Sequence, residues 1–439
     1  GPMVSIAAPA RAPRLRRRAL AACATLFLLL GAGSTTAGAA SADSSSNGSL
    51  LPGDPFQSKQ WYLSWQDRPG SPSTGKGASV GIIDTGVDAS HPELAAAYDS
   101  ANSKSFLSGG SCNGDTACDD PGHDGFGHGT SVAGIVAAAV DGHGIVGAAP
   151  GARIVSLKAG DRTGTFSADA VSQAIRYGAD AHLSVLVMSF TVDPWFRYCD
   201  NAPADTAEQR AQQKTDLEKV TSALKYAADH GVVLVAAAGN EAYDLDHGTS
   251  DPYSSGWSGQ GVRPVTDQCV TMPAQSDDVI TVGAIAEKGA RSSYSNVGAA
   301  LDIVTFGGEP PLAGPGDAVL QGPESGILTT VSADRLRQAG ALNDDGSPRT
   351  DEVLSDCPSG GGSCRYYWYQ SGTSYAAPQV AAAAAELRSR GVPAGNVKKQ
   401  LTTSATPISC PSEKQALACE PITGGGNTWY GAGALRLPR

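Results

Sequence analysis

Four short stretches of this chain hold residue types that can do chemistry together. Asp84 closes the apolar run Val80-Gly81-Ile82-Ile83 and is followed by Thr85 and Gly86. His128 lies between Gly127 and Gly129, Asn240 follows Gly239, and Ser374 stands within Gly372-Thr373-Ser374-Tyr375-Ala376-Ala377-Pro378. A serine hydroxyl is a weak nucleophile until a base takes its proton. Histidine suits that task near neutrality, and an acid beside it fixes the tautomer and stabilises the imidazolium. A Gly-Thr-Ser turn entering an alanine-rich helix also brings helix N-terminal amides close to the serine oxygen, where they stabilise an oxyanion. Each stretch has a plainer reading alone: Ser374 as an N-cap, Asp84 as a turn cap, Asn240 as an Asx turn after a strand. Taken together they supply nucleophile, base, acid and oxyanion donor, in the chain order Asp, His, Ser. Ala376 stands where a Gly-x-Ser-x-Gly elbow would need its last glycine.

Such residues must be carried to one place by a scaffold, and the hydrophobic pattern predicts one. Strands are expected at 78–87, 152–158, 183–190, 232–238, 279–284 and 301–304, alternating with helices at 130–140, 167–180, 206–230, from Ser374 onward, and 394–404. Near-continuous apolar runs read as buried parallel strands, and chemistry collects at their carboxyl ends in open α/β sheets. The expected fold is therefore a single α/β domain with a mostly parallel sheet and no second hydrophobic core. The glycines around His128 are expected to bend the backbone and leave the ring accessible. Residues 307–369 are rich in Gly, Pro and Asp with few periodic segments, and read as loops added to the scaffold, with further insertions at about 193–222 and 242–270.

Gly1-Pro2 ahead of Met3 has the look of a cloning scar. Arg11, Arg14 and Arg16 to Arg18 then precede an apolar run, Ala19 to Leu30, and a small-residue region at 36–42. That order is the order of a secretory signal, with cleavage expected after Ala39, Ala40 or Ala42, and 43–53 forming a short linker or propeptide before a domain at 54–439. The apolar run is too short to span a bilayer comfortably, so no stable membrane anchor is expected. The formal net charge of −11 becomes −16 once the first forty residues, with five arginines and no acid, are set aside. An acidic chain of this kind argues against nucleic acid or an anionic membrane as partner. Of nine cysteines, Cys23 leaves with the signal and eight remain, which in an exported protein points to disulfides. Cys112/Cys118, Cys357/Cys364 and Cys410/Cys419 each enclose a short polar or Gly/Pro-rich stretch and read as local staples. That leaves Cys199 with Cys269.

Asp84-Thr85-Gly86, His128-Gly129-Thr130, Gly239-Asn240 and Gly372 to Pro378 resemble, in type, order and approximate spacing, the four signatures of the subtilisin-like serine proteases, the subtilases. The resemblance runs from about Asp54 to about Gly433. It implies a three-layer α/β fold and a secreted endopeptidase acting on a peptide or protein substrate, with no cofactor required for the chemistry. Ser374 would attack the peptide carbonyl, His128 would move the proton, Asp84 would hold the tautomer, and Asn240 with the Ser374 amide would bind the oxyanion. The family's Ser-Leu-Gly-Gly-like substrate segment reads here Ser189-Phe190-Thr191, so side chains replace glycines and a narrowed or reshaped pocket is expected. Gly239 and Glu241 would border that pocket, Glu241 favouring a basic residue before the cut unless Thr191 blocks it. Asp302 to Gly307 lacks a proline often found in the family. The Ser189 to Trp195 stretch, with Cys199 after it, is similar to secreted actinobacterial members. Glu93 and Asp141 fall where similar proteases bind a structural Ca²⁺, with Asp54 or Gln57 nearby. The short segment before Asp54 leaves room for little or no prodomain, which favours a dedicated maturation protease. The alternative is a non-catalytic binding protein on the same fold.

Overall fold

The computed structural model describes residues 54–257 and 259–438; the expected signal and linker lie outside the described residues. In chain order the strands are β1 (Ser79–Asp84), β2 (Lys104–Ser105), β3 (Arg153–Lys158), β4 (Val185–Met188), β5 (Val233–Ala237), β6 (Ser250–Asp251), β7 (Arg263–Pro264), β8 (Ile280–Ile285), β9 (Ile303–Phe306), β10 (Leu312–Ala313), β11 (Val319–Gln321), β12 (Ile327–Val331), β13 (Val353–Asp356) and β14 (Arg365–Gln370). The α-helices are α1 (His128–Ala137), α2 (Ala168–Asp180), α3 (Ala207–Asp229), α4 (Ala333–Gln338), α5 (Thr373–Ser389) and α6 (Ala394–Ser404).

Seven strands form one parallel sheet in the order β2-β3-β1-β4-β5-β8-β9. The chain enters at β1 and builds outward on both sides, so the carboxyl ends of β1, β4 and β5 meet near the middle, where such sheets place their sites. Successive side chains of a strand point to opposite faces. In β4, Val185 and Val187 join the core under α1 and α5, whereas Leu186 and Met188 join the core under α2 and α3. The result is three layers, helix, sheet and helix. Ser167 caps α2, and Thr206 with Gln209 forms a capping box on α3. In α5 the residues from Thr373 to Ala385 are all buried, because a run of alanines presents a thin surface to the sheet. Among the described residues no helix is long and apolar enough to cross a membrane.

The stretch 307–369 is not a set of loops. It contains a three-stranded antiparallel sheet, β12-β14-β13. In β14, Tyr366 and Trp368 face one small core with Val331, Leu336 and Val353, and Tyr367 and Tyr369 face another with Ala138, Ile145 and Leu328. The aromatic run supplies apolar area that the Gly-rich surroundings lack. The insertions around 193–222 and 242–270 are tied by buried polar groups as well as by aromatic contacts of Phe196 with Tyr243 and Tyr253. Buried Arg263 pairs with Asp205 at 2.6 Å and Asp251 at 3.0 Å. Buried Arg197 donates to Thr271 Oγ1 at 3.0 Å and to the carbonyl of Leu245 at 2.9 Å. Disulfides join Cys112 to Cys118, Cys199 to Cys269, Cys357 to Cys364 and Cys410 to Cys419.

Candidate active site

Asp84 ends β1 and is 1% exposed. His128 Nδ1 donates to both of its carboxylate oxygens, at 2.8 and 3.0 Å, while the Thr85 amide donates to Oδ1 at 2.8 Å. The tautomer is thereby set: Nδ1 carries the proton and Nε2 is buried without a hydrogen-bond partner. Burial works against protonating the ring, but the charge and hydrogen bond of Asp84, aided by Asp124, outweigh it and hold the His128 pKa above the ordinary histidine range.

His128 is itself the first residue of α1, behind Gly127 at φ 93°, a conformation that suits glycine. A side chain at position 129 would collide with the Gly86 carbonyl, so Gly129 lets the helix close on the turn after β1. The glycines serve this approach; they do not expose the ring, which is 4% accessible. Asp124 takes the part of an N-cap. Its Oδ1 accepts from the amides of Gly127 at 2.7 Å and Phe126 at 3.2 Å, and its Oδ2 from the amide and hydroxyl of Thr130 at 2.9 and 2.7 Å. Sequence reading passed over Asp124, which lies six residues before Thr130, outside the spacing of an N-cap. The Tyr375 ring packs 5.8 Å from His128.

Ser374 is the second residue of α5. Asn240 Oδ1 accepts from the amide and hydroxyl of Thr373, both at 2.8 Å, and the Thr373 hydroxyl accepts from the Gly239 amide at 3.1 Å. With Oδ1 so engaged, Asn240 Nδ2 lies on the Gly372 side, 3.4 Å from where a Cβ on Gly372 would be. Ser374 Oγ donates to the Ser189 carbonyl at 3.2 Å, and Ser189 Oγ donates to the Ser374 carbonyl at 2.9 Å.

The pocket residues divide. Phe190 stacks on Phe166 in the core, ring centres 4.1 Å apart and planes at 7°, so its side chain turns away and only its main chain can serve the cleft. Thr191 is buried, its hydroxyl without a hydrogen-bond partner. Glu241 Oε2 accepts from Asn296 Nδ2 at 2.7 Å and lies 2.7 Å from where a Cβ on Gly239 would be. A side chain at 239 would collide with Asn296 Nδ2 and with this carboxylate, so Gly239 lets the Asn296–Glu241 pair pack against the main chain. Burial pushes the Glu241 carboxyl up to about 7, against the Asn296 hydrogen bond that pulls it down. Asn296, also accepting from the amides of Glu241 and Tyr243, was not singled out from the sequence.

Glu93 and Asp141 are brought together, but around an arginine. Arg365 Nη1 lies 2.7 Å from Asp141 Oδ2 and 3.2 Å from Glu93 Oε1, and Glu93 Oε1 also accepts from the Tyr367 hydroxyl at 2.7 Å. Asp54 Oδ1 accepts from the amides of Gly142 and His143, each at 3.1 Å, so the 141–143 loop turns N–H groups inward. Gln57 donates to the Pro69 carbonyl at 3.2 Å. Calcium takes six to eight oxygens at short range. Here one nitrogen of a guanidinium uses two of the carboxylates, and Glu93 Oε2 is buried without a hydrogen-bond partner. The set does not fit a hard divalent ion, and among the described residues no group of three or more His, Cys, Asp or Glu is placed to hold a metal.

Comparison with known proteins bears on this arrangement. The profile of peptidase S8, the subtilase family, matches residues 75–416. Subtilisin DY of Bacillus licheniformis is 33% identical over 233 residues, covering 53% of this chain and 65% of that protein. The thermophilic serine proteinase of Bacillus sp. strain AK1 is 28% identical over 338 residues, covering 76% of this chain and 57% of that protein. The matched part thus spans less than two thirds of either relative. Among solved structures, the epidermin leader peptide processing serine protease of Staphylococcus aureus has a TM-score of 0.58 at 23% identity, covering 87% of this chain and 79% of that one. The nisin leader peptidase of Lactococcus lactis has a TM-score of 0.57 at 23% identity, covering 81% and 91%. At that identity the structural likeness bears on the fold.

Proposed function

This chain belongs to the subtilase family, and from that premise we propose that it is a secreted serine endopeptidase. Ser374 Oγ adds to the scissile carbonyl while His128 Nε2 takes its proton. The oxyanion is held by the Ser374 amide and Asn240 Nδ2. His128 then gives the proton to the leaving amine, and water hydrolyses the acyl-enzyme by the same route. Asp84 stabilises the imidazolium throughout. The observation that carries this reading is the His128 ring, clamped on Nδ1 by both Asp84 oxygens and left with a buried, unpartnered Nε2.

The Glu241 carboxylate, next in sequence to Asn240, supports a basic residue before the cut. A dedicated role in peptide maturation draws support from two structural neighbours whose names describe leader peptide processing. Export is supported by the arginine-led apolar N-terminus and by four disulfides. The chemistry of the triad calls for no metal, and Arg365 serves in place of calcium between Glu93 and Asp141. The reading of a non-catalytic binding protein rests on one observation, that Ser374 Oγ donates to Ser189 and not to His128. Such bonds are often loose before substrate arrives.

A fluorophosphonate probe tests the two readings. It is expected to label the mature chain and not Ser374→Ala. A folded parent that stays unlabelled would favour the binding protein. Digestion of casein at many sites would count against a dedicated maturation role.

A further inference from the structure

Pro378 stands inside α5, four residues after Ser374. In an α-helix the carbonyl of a residue accepts from the amide four positions on, and proline has no amide hydrogen to give. The Ser374 carbonyl therefore lacks its i+4 helical donor, in a residue that is itself fully buried. A buried carbonyl without a partner is costly, so a donor must come from elsewhere. It comes from Ser189, just after β4, whose buried hydroxyl donates to the Ser374 carbonyl at 2.9 Å. The proline ring also crowds that carbonyl and turns it away from the helix axis.

We propose that Ser189 is a positioning residue: its hydroxyl replaces the helix hydrogen bond that Pro378 cannot make, and so fixes the main chain of Ser374 for attack. The peptide is then held on both sides. Before it, the Thr373 amide is tied to Asn240 Oδ1 at 2.8 Å; after it, the Ser374 carbonyl is tied to Ser189. Between the two ties lie the Ser374 amide, which faces the oxyanion, and the Cα that aims Oγ. The return bond from Ser374 Oγ to the Ser189 carbonyl, at 3.2 Å, is the one that must open before Oγ can turn to His128. This role rests on the endopeptidase reading and adds to it a residue whose hydroxyl acts through the Ser374 main chain and not on the scissile bond.

The test is a cycle of Ser189→Ala, Pro378→Ala and the double variant in the mature chain, read by kcat, KM, fluorophosphonate labelling rate and Tm. Ser189→Ala is expected to lower kcat and labelling about tenfold, the size of one lost buried hydrogen bond, with KM little changed and Tm lowered. In the double variant, Pro378→Ala restores a main-chain amide that can donate to the Ser374 carbonyl, so most of the kcat and the Tm return. A Ser189→Ala loss confined to KM would make Ser189 a substrate contact and overturn the proposal. So would a folded double variant that recovers neither kcat nor Tm. A parent that does not label sinks the endopeptidase reading, and recovery of Tm in the double variant still decides whether the hydroxyl replaces the missing bond.

Discussion

Asp84 and Glu93 stand nine residues apart, both are essentially inaccessible, and each accepts a hydrogen bond from a nitrogen in a distant part of the chain. They come to opposite ends. Asp84 faces a histidine, which can lose and regain a proton and whose second nitrogen has no partner among the described residues. Glu93 faces Arg365, which cannot give up its proton, and Tyr367, whose own pKa burial pushes upward. The first pair is open toward a reactant. The second is closed, joining the turn after β1, the 141–143 loop and β14. Burial of an acid says little about its use; the titration range and free valence of its partner say much more.

The sharpest break in this comparison is to replace each carboxyl group by an amide. Asp84→Asn is expected to lower kcat by about 10⁴-fold in a folded protein, whereas Glu93→Gln leaves kcat nearly unchanged; steady-state kinetics on one peptide substrate decides. Asp84→Asn also moves the pH profile. In the parent, the rate rises as His128 loses its proton at a pKa above the ordinary value. Without the carboxylate, burial dominates and the limb shifts to lower pH.

A smaller effect tests the oxyanion side of the open pair: Asn240→Leu should cost roughly 10²–10³ in kcat with little change in KM. Next comes Glu241, whose carboxyl burial raises to about 7. The ratio of kcat/KM for basic over neutral residues before the cut should climb as pH passes through about 7, and Glu241→Gln should flatten it.

The closed pair is probed by stability. Arg365→Met should cost roughly 2–3 kcal/mol, somewhat below a fully buried pair because Arg365 keeps 18% of its side-chain exposure. The Tm of the parent should not respond to a chelator through this site, so its chelator response should equal that of Asp141→Asn. A response in the parent that Asp141→Asn abolishes would show that a metal and not Arg365 bridges the two acids. The pH dependence of unfolding has a definite sign. Glu93 ionises near its ordinary value of 4.5 when unfolded and near 8 when folded, because burial disfavours its charge. Between those values the unfolded chain binds fewer protons, so the contribution of Glu93 is full below about 4.5 and is lost as pH rises to about 8. Glu93→Gln should remove that slope from the denaturant midpoints.

Much of the sheet was legible before any coordinates, because apolar runs of strand length fix where a strand forms whatever lies around it. β3, β5 and β8 lie within a residue or so of expectation, and Ser167 and Thr206 cap the helices that begin after them. Asp84, His128, Asn240 and Ser374 were legible because each sits at a strand end or helix start that local patterning locates. The β12-β14-β13 sheet was not, since its strands lie among Gly-, Pro- and Asp-rich stretches and pair antiparallel with partners distant in sequence.

Residue types and their local spacing by themselves determined the parallel sheet, the order of the site residues and the turns that carry them. Tertiary structure alone decided that Phe190 turns into the core onto Phe166, that Asp124 caps α1, that Ser189 supplies the bond missing at Pro378, and that Arg365 reaches Glu93 across 272 positions of chain. Strand and helix formation answers to neighbours along the chain. The direction of a side chain, and the partner of a buried charge, answer to whatever packing brings within a few ångströms.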